Sequence, residues 1–216
     1  MSFMSNPKFT EGFGPIQLDV LKEIGNIGSG HAATSLSQLL DKKIEMHVPG
    51  VEVVDFDQVM HLAGGADKEV IGIFQRIEGE APGTMFFIMD PSQAQHFVKL
   101  MTNATEGLAD DSEMAFSALQ ELGNILSGAY LTALCNFTKL DLQTTVPSIS
   151  QDMEVAILSM GLYELSQVSD AAIVLKTSLT DGEGGGNHLL EGHFFLFPDP
   201  PSYQKMFSSL GVRADE

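Results

Sequence analysis

A carboxylate and a carboxamide stand three residues apart at two places in the chain, as Glu23 with Asn26 and as Glu121 with Asn124. Neither group breaks a bond unaided. A carboxamide can hold a water in line for attack on a phosphoryl group, as a glutamine does in some GTPases. A carboxylate can pair with a lysine and so fix the register of a docked protein. The chain offers no obvious reaction centre of its own beside them. Ser29 and Ser127 lie in GSG and LSG, which lack the nucleophile-elbow pattern. The histidines at 31, 47, 61, 96, 188 and 193 form no H-x-x-x-H pair, so a zinc site is not expected. The glycine-rich IGNIGSG falls inside a helical pattern, unlike a phosphate loop or dinucleotide fingerprint, which follows a strand. DFD at 55–57 and the acidic run at 110–113 read as loops and caps, and no metal is expected. In a single copy, an outward Glu and Asn are an ordinary solvated face; as a pair they could also complete an active site that belongs to a partner.

Repetition weighs against the ordinary face. DVLKEIGNIGSG at 19–30 returns as SALQELGNILSG at 117–128, an offset of 98 residues that also carries Thr34 onto Thr132 and Pro49 onto Pro147. The halves have otherwise diverged, yet the Glu-x-x-Asn register is unchanged. A first repeat is expected over about 16–105 and a second over about 110–216, after an N-terminal tail at 1–15.

The elements that must hold these pairs follow from periodicity. At about 100° per residue, Asp19, Glu23 and Asn26 fall within roughly 60° of one another, with Gly30 on the same stripe. Leu18, Leu21, Gly25, Gly28, Ala32, Leu36 and Leu39 gather opposite, which predicts a helix over about 16–40 with its apolar face buried. The second motif predicts the same helix, with Ser117, Glu121 and Asn124 outward and Phe116, Leu119, Leu126, Tyr130, Ala133, Leu134 and Phe137 inward. Gly25, Gly28 and Gly30 each cost the first helix about 1 kcal/mol relative to Ala, which close approach of a core element or a docking partner would explain. Strand-like alternation follows each helix (Ile44, Met46, Val48; Leu140, Leu142, Thr144, Val146) and stops at the proline. Hairpins are then expected at 69–78 with 83–89 and at 171–180 with 188–197, the latter turning at DGEGGGN. Asp90-Pro91 and Asp199-Pro200 should open helices with Asp as N-cap and Pro at the first position. These openers are 109 residues apart, so the second half carries 11 extra residues, and the segment 150–167 reads as helical. The expected architecture is α+β: one domain of two pseudo-symmetric halves, each a long motif helix, strands, a hairpin and a second helix, sharing a mixed sheet.

Composition narrows the class further. With 216 residues the chain suits one domain. Twenty-nine Asp and Glu against 11 Lys and Arg give a net charge of −18, which repels nucleic acid and anionic lipid and favours basic partner surfaces. The hydrophobic fraction of 44%, with 14 Phe and no Trp, is enough for a core. Cys135 is the only cysteine, flanked by apolar residues, and reads as a small buried hydrophobe. With no signal peptide and no run long enough to span a bilayer, a cytoplasmic protein without membrane insertion is expected.

The pattern Asp/Ser-x-x-x-Glu-x-x-Asn followed by 22 residues and a Pro occurs as Asp19, Glu23, Asn26, Pro49 and as Ser117, Glu121, Asn124, Pro147. It resembles the signature of the CheC family of bacterial chemotaxis phosphatases, and the resemblance runs from residue 16 through the rest of the chain. The resemblance implies hydrolysis of the aspartyl phosphate on the response regulator CheY. Asn26 and Asn124 would orient the attacking water, Glu23 and Glu121 would pair with a regulator lysine, and Asp19 and Ser117 would support them. The Mg²⁺ would be the regulator's own. The resemblance also implies binding of CheD, a chemoreceptor glutamine deamidase, and a monomer is expected. Because the halves differ most at 150–167, that helix, with Asp152 leading its polar side, is the expected CheD contact; an ordinary core helix is the alternative. The competing class is a binding module without relevant turnover, either a flagellar-switch component or a sink for CheD or phosphorylated CheY.

Overall fold

Pro15 supplies the fixed φ suited to a first helical position, and from it α1 (Pro15–Leu40) runs for 26 residues. The computed structural model describes residues 15–55, 59, 67–102, 113–165, 171–181 and 188–211. The tail before Pro15, residues 56–57 of the DFD segment, His61, residues 110–112 of the acidic run, 166–167 and residues 182–187, where the hairpin turn is expected, lie outside the described residues. After α1 come β1 (Ile44–His47), β2 (Val51–Asp55), the hairpin β3 (Glu69–Gly79) and β4 (Gly83–Met89), and α2 (Pro91–Thr102). The second half repeats the order: α3 (Glu113–Thr138), β5 (Leu142–Thr144), β6 (Ser148–Met153), α4 (Glu154–Leu165), the hairpin β7 (Ala171–Asp181) and β8 (His188–Pro198), and α5 (Pro200–Ser209). Both motif helices stop at a left-handed residue 98 positions apart, Asp41 at φ 48° and Lys139 at φ 60°, the usual way a helix turns off its axis.

The sheet runs β1-β7-β8-β4-β3-β5, with β2 continuing β1 along β7 and β6 continuing β5 along β3. The two halves are interlocked through this order. β1 and β2 of the first half pair with β7 of the second, β5 and β6 of the second pair with β3 of the first, and the hairpins join through β4 and β8. Every pairing among the described residues is antiparallel, so the expected mixed sheet is corrected to an antiparallel one. Hairpins supply the inner strands and exchanged short strands the edges, and this arrangement needs no parallel crossover.

Alternation along the central strands gives the sheet two apolar faces. Met85, Phe87, Phe194 and Leu196 face α1 and α3, flanked by α2 and α5. Phe86, Ile88, Phe195 and Phe197 face the other way and pack with Ile157 and Leu158 of α4. At the helix openers, Asp90 caps α2 by accepting from Ser92 N at 2.9 Å and Ser92 Oγ at 2.6 Å. Asp199 precedes α5 with Pro200 as expected but makes no side-chain cap. Its carboxylate is taken by the guanidinium of Arg76 on β3, a tie between the two halves.

Two more sequence expectations need correction. The helix expected over 150–167 begins only at Glu154, because 148–153 pair as a strand with β3. The strand expectation ending at the prolines missed β2 and β6, which resume pairing beyond Pro49 and Pro147.

Candidate functional site

Asp19, Glu23 and Asn26 are exposed on one stripe of α1, and Ser117, Glu121 and Asn124 are exposed on the matching stripe of α3. Opposite them, Leu21, Ile24, Ala32 and Leu36 are buried under α1, and Leu119, Leu122, Leu126, Ala133 and Leu134 under α3. The helical phase read from sequence therefore holds for both motifs. Leu39, Phe116 and Phe137 were expected inside but are 41%, 48% and 38% exposed. All three lie near a helix end. Val146, expected as an inward strand residue, is 75% exposed because β5 has already ended at Thr144.

Among the described hydrogen bonds and ion pairs, none engages the side chain of Glu23, Asn26, Glu121 or Asn124. The serines beside them do the opposite. Ser29 Oγ donates back to Asn26 O at 2.8 Å, and Ser127 Oγ to Gly123 O at 2.7 Å, both from buried positions. Such hydroxyls satisfy helix carbonyls and leave the Glu and Asn as the polar chemistry on show. Ser117 Oγ likewise donates to Glu113 O at 2.8 Å. Among the described residues, no three His, Cys, Asp or Glu side chains gather as a metal cage. Cys135 is half-buried, and desolvation pushes its thiol pKa up.

Close packing holds each motif helix in place. A Cβ on Gly25 would stand 2.8 Å from Leu175 of β7, and one on Gly28 2.5 Å from the ring of Tyr130, where α1 meets α3. A Cβ on Gly123 would stand 2.7 Å from Ile73 of β3. Thus each motif is backed by the outer hairpin strand of the opposite half. Close approach by core elements explains Gly25 and Gly28; Gly30 has nothing within 4 Å of its Cβ position.

The motif prolines are not equivalent. Pro147 is buried, its ring lies beside Gly123, and its carbonyl accepts from Gln120 Nε2 at 3.2 Å. The turn leading to it is pinned by Gln75 Nε2 donating to Thr145 O at 2.7 Å and by Thr145 N donating to Arg76 O at 2.9 Å. Pro49 is exposed, and its neighbours Val48 and Val51 approach Gly25 instead. Sequence reasoning missed Ile73 and Leu175 as supports. The signal that could have found them is Gly25 recurring as Gly123 at a position where a helix ordinarily prefers a side chain.

Asp152 stands apart from both motifs. It is exposed on β6, paired in register with Val70, and its carboxylate accepts from Met153 N at 2.7 Å. It therefore leads no helix face.

The model of the CheC-like family matches residues 16–53 and 114–150, the two motif segments. The chain is 47% identical over 199 residues to the CheY-P phosphatase CheC of Bacillus subtilis, covering 91% of this chain and 94% of that protein. Its fold is similar to that of Thermotoga maritima FliY, with a TM-score of 0.71 at 18% identity, over 92% of this chain and 98% of that one. It is also similar in fold to a chain in the Borrelia burgdorferi complex of CheX with CheY, BeF₃ and Mg²⁺. There the TM-score is 0.50 at 17% identity, over 80% of this chain and 96% of that one.

Proposed function

The chain belongs to the CheC-like family, and from that premise we propose that it is a phosphatase acting on the aspartyl phosphate of a CheY-type response regulator. The observation that carries this reading is the pair of exposed Glu-x-x-Asn stripes, one on each of two helices, whose side chains are engaged by no other described residue. A site that completes itself would spend these groups on internal bonds; a site that completes a partner leaves them outward.

In the proposed reaction, Asn26 or Asn124 enters the regulator's phosphorylation pocket and its carboxamide holds a water in line with the phosphorus. The water oxygen forms a bond to phosphorus as the bond to the aspartyl oxygen breaks, releasing inorganic phosphate and the regulator's carboxylate. Glu23 or Glu121 pairs with a regulator lysine and sets the docking register. Asp19 and Ser117 support the stripe; Pro147 backs α3 directly, whereas under α1 that place is taken by Val48 and Val51, the neighbours of Pro49. The Mg²⁺ is assigned to the regulator, which neutralises charge on the phosphoryl oxygens there, and this chain contributes positioning alone. The reading places the protein in the cytoplasm as a monomer.

CheD is the second proposed partner, and the exposed β6 edge at Asp152 its contact. Its support there is an exposed carboxylate on β6, the strand that answers to β2 of the first half. The competing reading is a binding role without turnover, as a flagellar-switch-like component or a sink for CheD or the phosphorylated regulator. Mixing the purified protein with phosphorylated CheY-type regulator and timing phosphate release decides between them. The phosphatase requires release faster than the regulator's own, and a pure binding module would leave the rate unchanged or slower.

A further inference from the structure

The glycines of the motif helices fall into two kinds. Gly25, Gly28 and Gly123 each lie where a Cβ would meet another part of the fold at 2.8 Å or less. Gly30 and Gly128 do not: nothing stands within 4 Å of either Cβ position. Each lies in mid-helix, four residues beyond Asn26 or Asn124, where glycine is unfavourable relative to alanine. The fold has room for a side chain at both places and holds none at either.

These glycines continue the stripe that carries the motif. At about 100° per residue, Ile16, Asp19, Glu23, Asn26 and Gly30 span about 80° of the α1 surface, and the residues 98 positions later do the same on α3. At the head of each stripe stands an exposed apolar side chain, Ile16 at 63% and Met114 at 60% exposure. Each repeat thus presents the same sequence of surfaces: an apolar knob, a carboxylate, a carboxamide and then bare backbone.

We propose that Gly30 and Gly128 form the closest point of approach to the phosphorylated regulator, with Ile16 and Met114 as the apolar contact at the other end of the same docking stripe. This rests on the phosphatase reading above. Asparagine is short, so its amide reaches a water inside another protein's pocket only if the helix itself comes close. Side chains four residues apart on a helix are neighbours, about 5–6 Å between Cβ atoms. A side chain at residue 30 or 128 would therefore meet the rim of the regulator's pocket and hold Asn26 or Asn124 back from the phosphoryl group. Displacement of about 1 Å is enough to cost on the order of 10²-fold in rate.

The test uses the full chain with one site silenced at a time. In an Asn124→Ala background, Gly30→Ala and Gly30→Leu are compared with their parent for Tm, kcat and KM on phosphorylated regulator; Gly128→Ala and Gly128→Leu are compared in Asn26→Ala. The expected result is a Tm equal to or above the parent's, with kcat/KM lowered several-fold by Ala and at least about tenfold by Leu. Ile16→Ser and Met114→Ser should raise KM several-fold at unchanged Tm. Unchanged kcat/KM in both Leu variants overturns the proposal, and so does a Tm loss that accounts for the activity loss, since the glycines would then be structural. If the unmodified protein neither binds the regulator nor speeds its phosphate release, the phosphatase reading fails and the proposal falls with it. If the parents turn over and the Leu variants match them, the docking proposal alone falls.

Discussion

Gly123, the residue before Asn124, lies beside the ring of Pro147, so that a Cβ on the glycine would stand 3.2 Å from Pro147 Cβ and 3.3 Å from its Cγ. The long spacing between Asn and Pro in the motif thereby becomes a contact: the chain leaves α3, forms β5, and returns a proline to the underside of the helix that carries Glu121 and Asn124. Gly123→Ala should crowd both Pro147 and Ile73. Overpacking of about 1–3 kcal/mol outweighs the gain of about 1 kcal/mol in helix propensity, so a net loss of stability in urea denaturation is expected, with weakened turnover at the second site only. An unchanged or higher midpoint would show that the proline contact yields without cost.

The carboxamides are predicted to act in chemistry and hardly at all in folding. Asn26→Ala with Asn124→Ala should lower phosphate release on the order of 10²-fold while the thermal midpoint stays level or rises slightly, because both side chains are exposed in helices. Each single variant should keep the activity of the untouched site. Full turnover in the double variant, measured by inorganic phosphate release, would remove the water-positioning role.

A pH effect is expected from His193 on β8. Burial holds its pKa below the ordinary 6.5, with Lys176 and Lys68 adding to the shift. Glu191 on the same strand and Glu52 on β2 act in the opposite sense. The folded state thus resists taking the proton that the unfolded chain accepts. Stability supplied by neutral His193 is complete above about pH 6.5 and declines as the pH falls through the lowered folded value. Urea melts at pH 7.5 and pH 5 should show a smaller loss for His193→Gln than for the unmodified chain. Parallel losses in the two proteins would assign the acid sensitivity to other groups.

Asp152→Lys tests the proposed CheD contact. The residue is exposed at the sheet edge and touches neither Glu-Asn stripe. The substitution should weaken CheD binding in a titration by about tenfold and leave basal phosphatase activity unchanged. Equal affinity would exclude this edge of β6 as the contact.

The helical stripes, both hairpins and the Asp90 cap were legible from sequence because each is set by neighbours a few residues away. Glu23 and Asn26 point outward for the same reason that Leu21 and Ile24 point inward. What escaped were features fixed by residues distant in the chain. β2 and β6 are short, and their pairing along β7 and β3 overrode the local signals, which for Asp152 suggested a helix. Asp199 has the sequence of an N-cap but lies within reach of Arg76, and the charge-assisted pair replaced the cap. Leu39, Phe116 and Phe137 fit the apolar phase of their helices, yet no pattern within a helix reveals which of its apolar positions the rest of the fold covers.

The exchange of edge strands between halves also sets a timetable for folding. As the chain is synthesised, β3 is already made when α3 emerges, so Ile73 is at hand to receive Gly123. The first motif must wait. Its strands β1 and β2 find their partner only when β7 appears, where Val51 pairs with Leu175 and Ile44 with Asp181. Until then Gly25 has no Leu175 to rest on and the early strands keep open edges, a state that favours slow folding and misassociation. The motif encoded first is thus the one whose own strands are paired last, and in a nascent chain arrested before β7 Gly25 would lack its support while Gly123 already had Ile73.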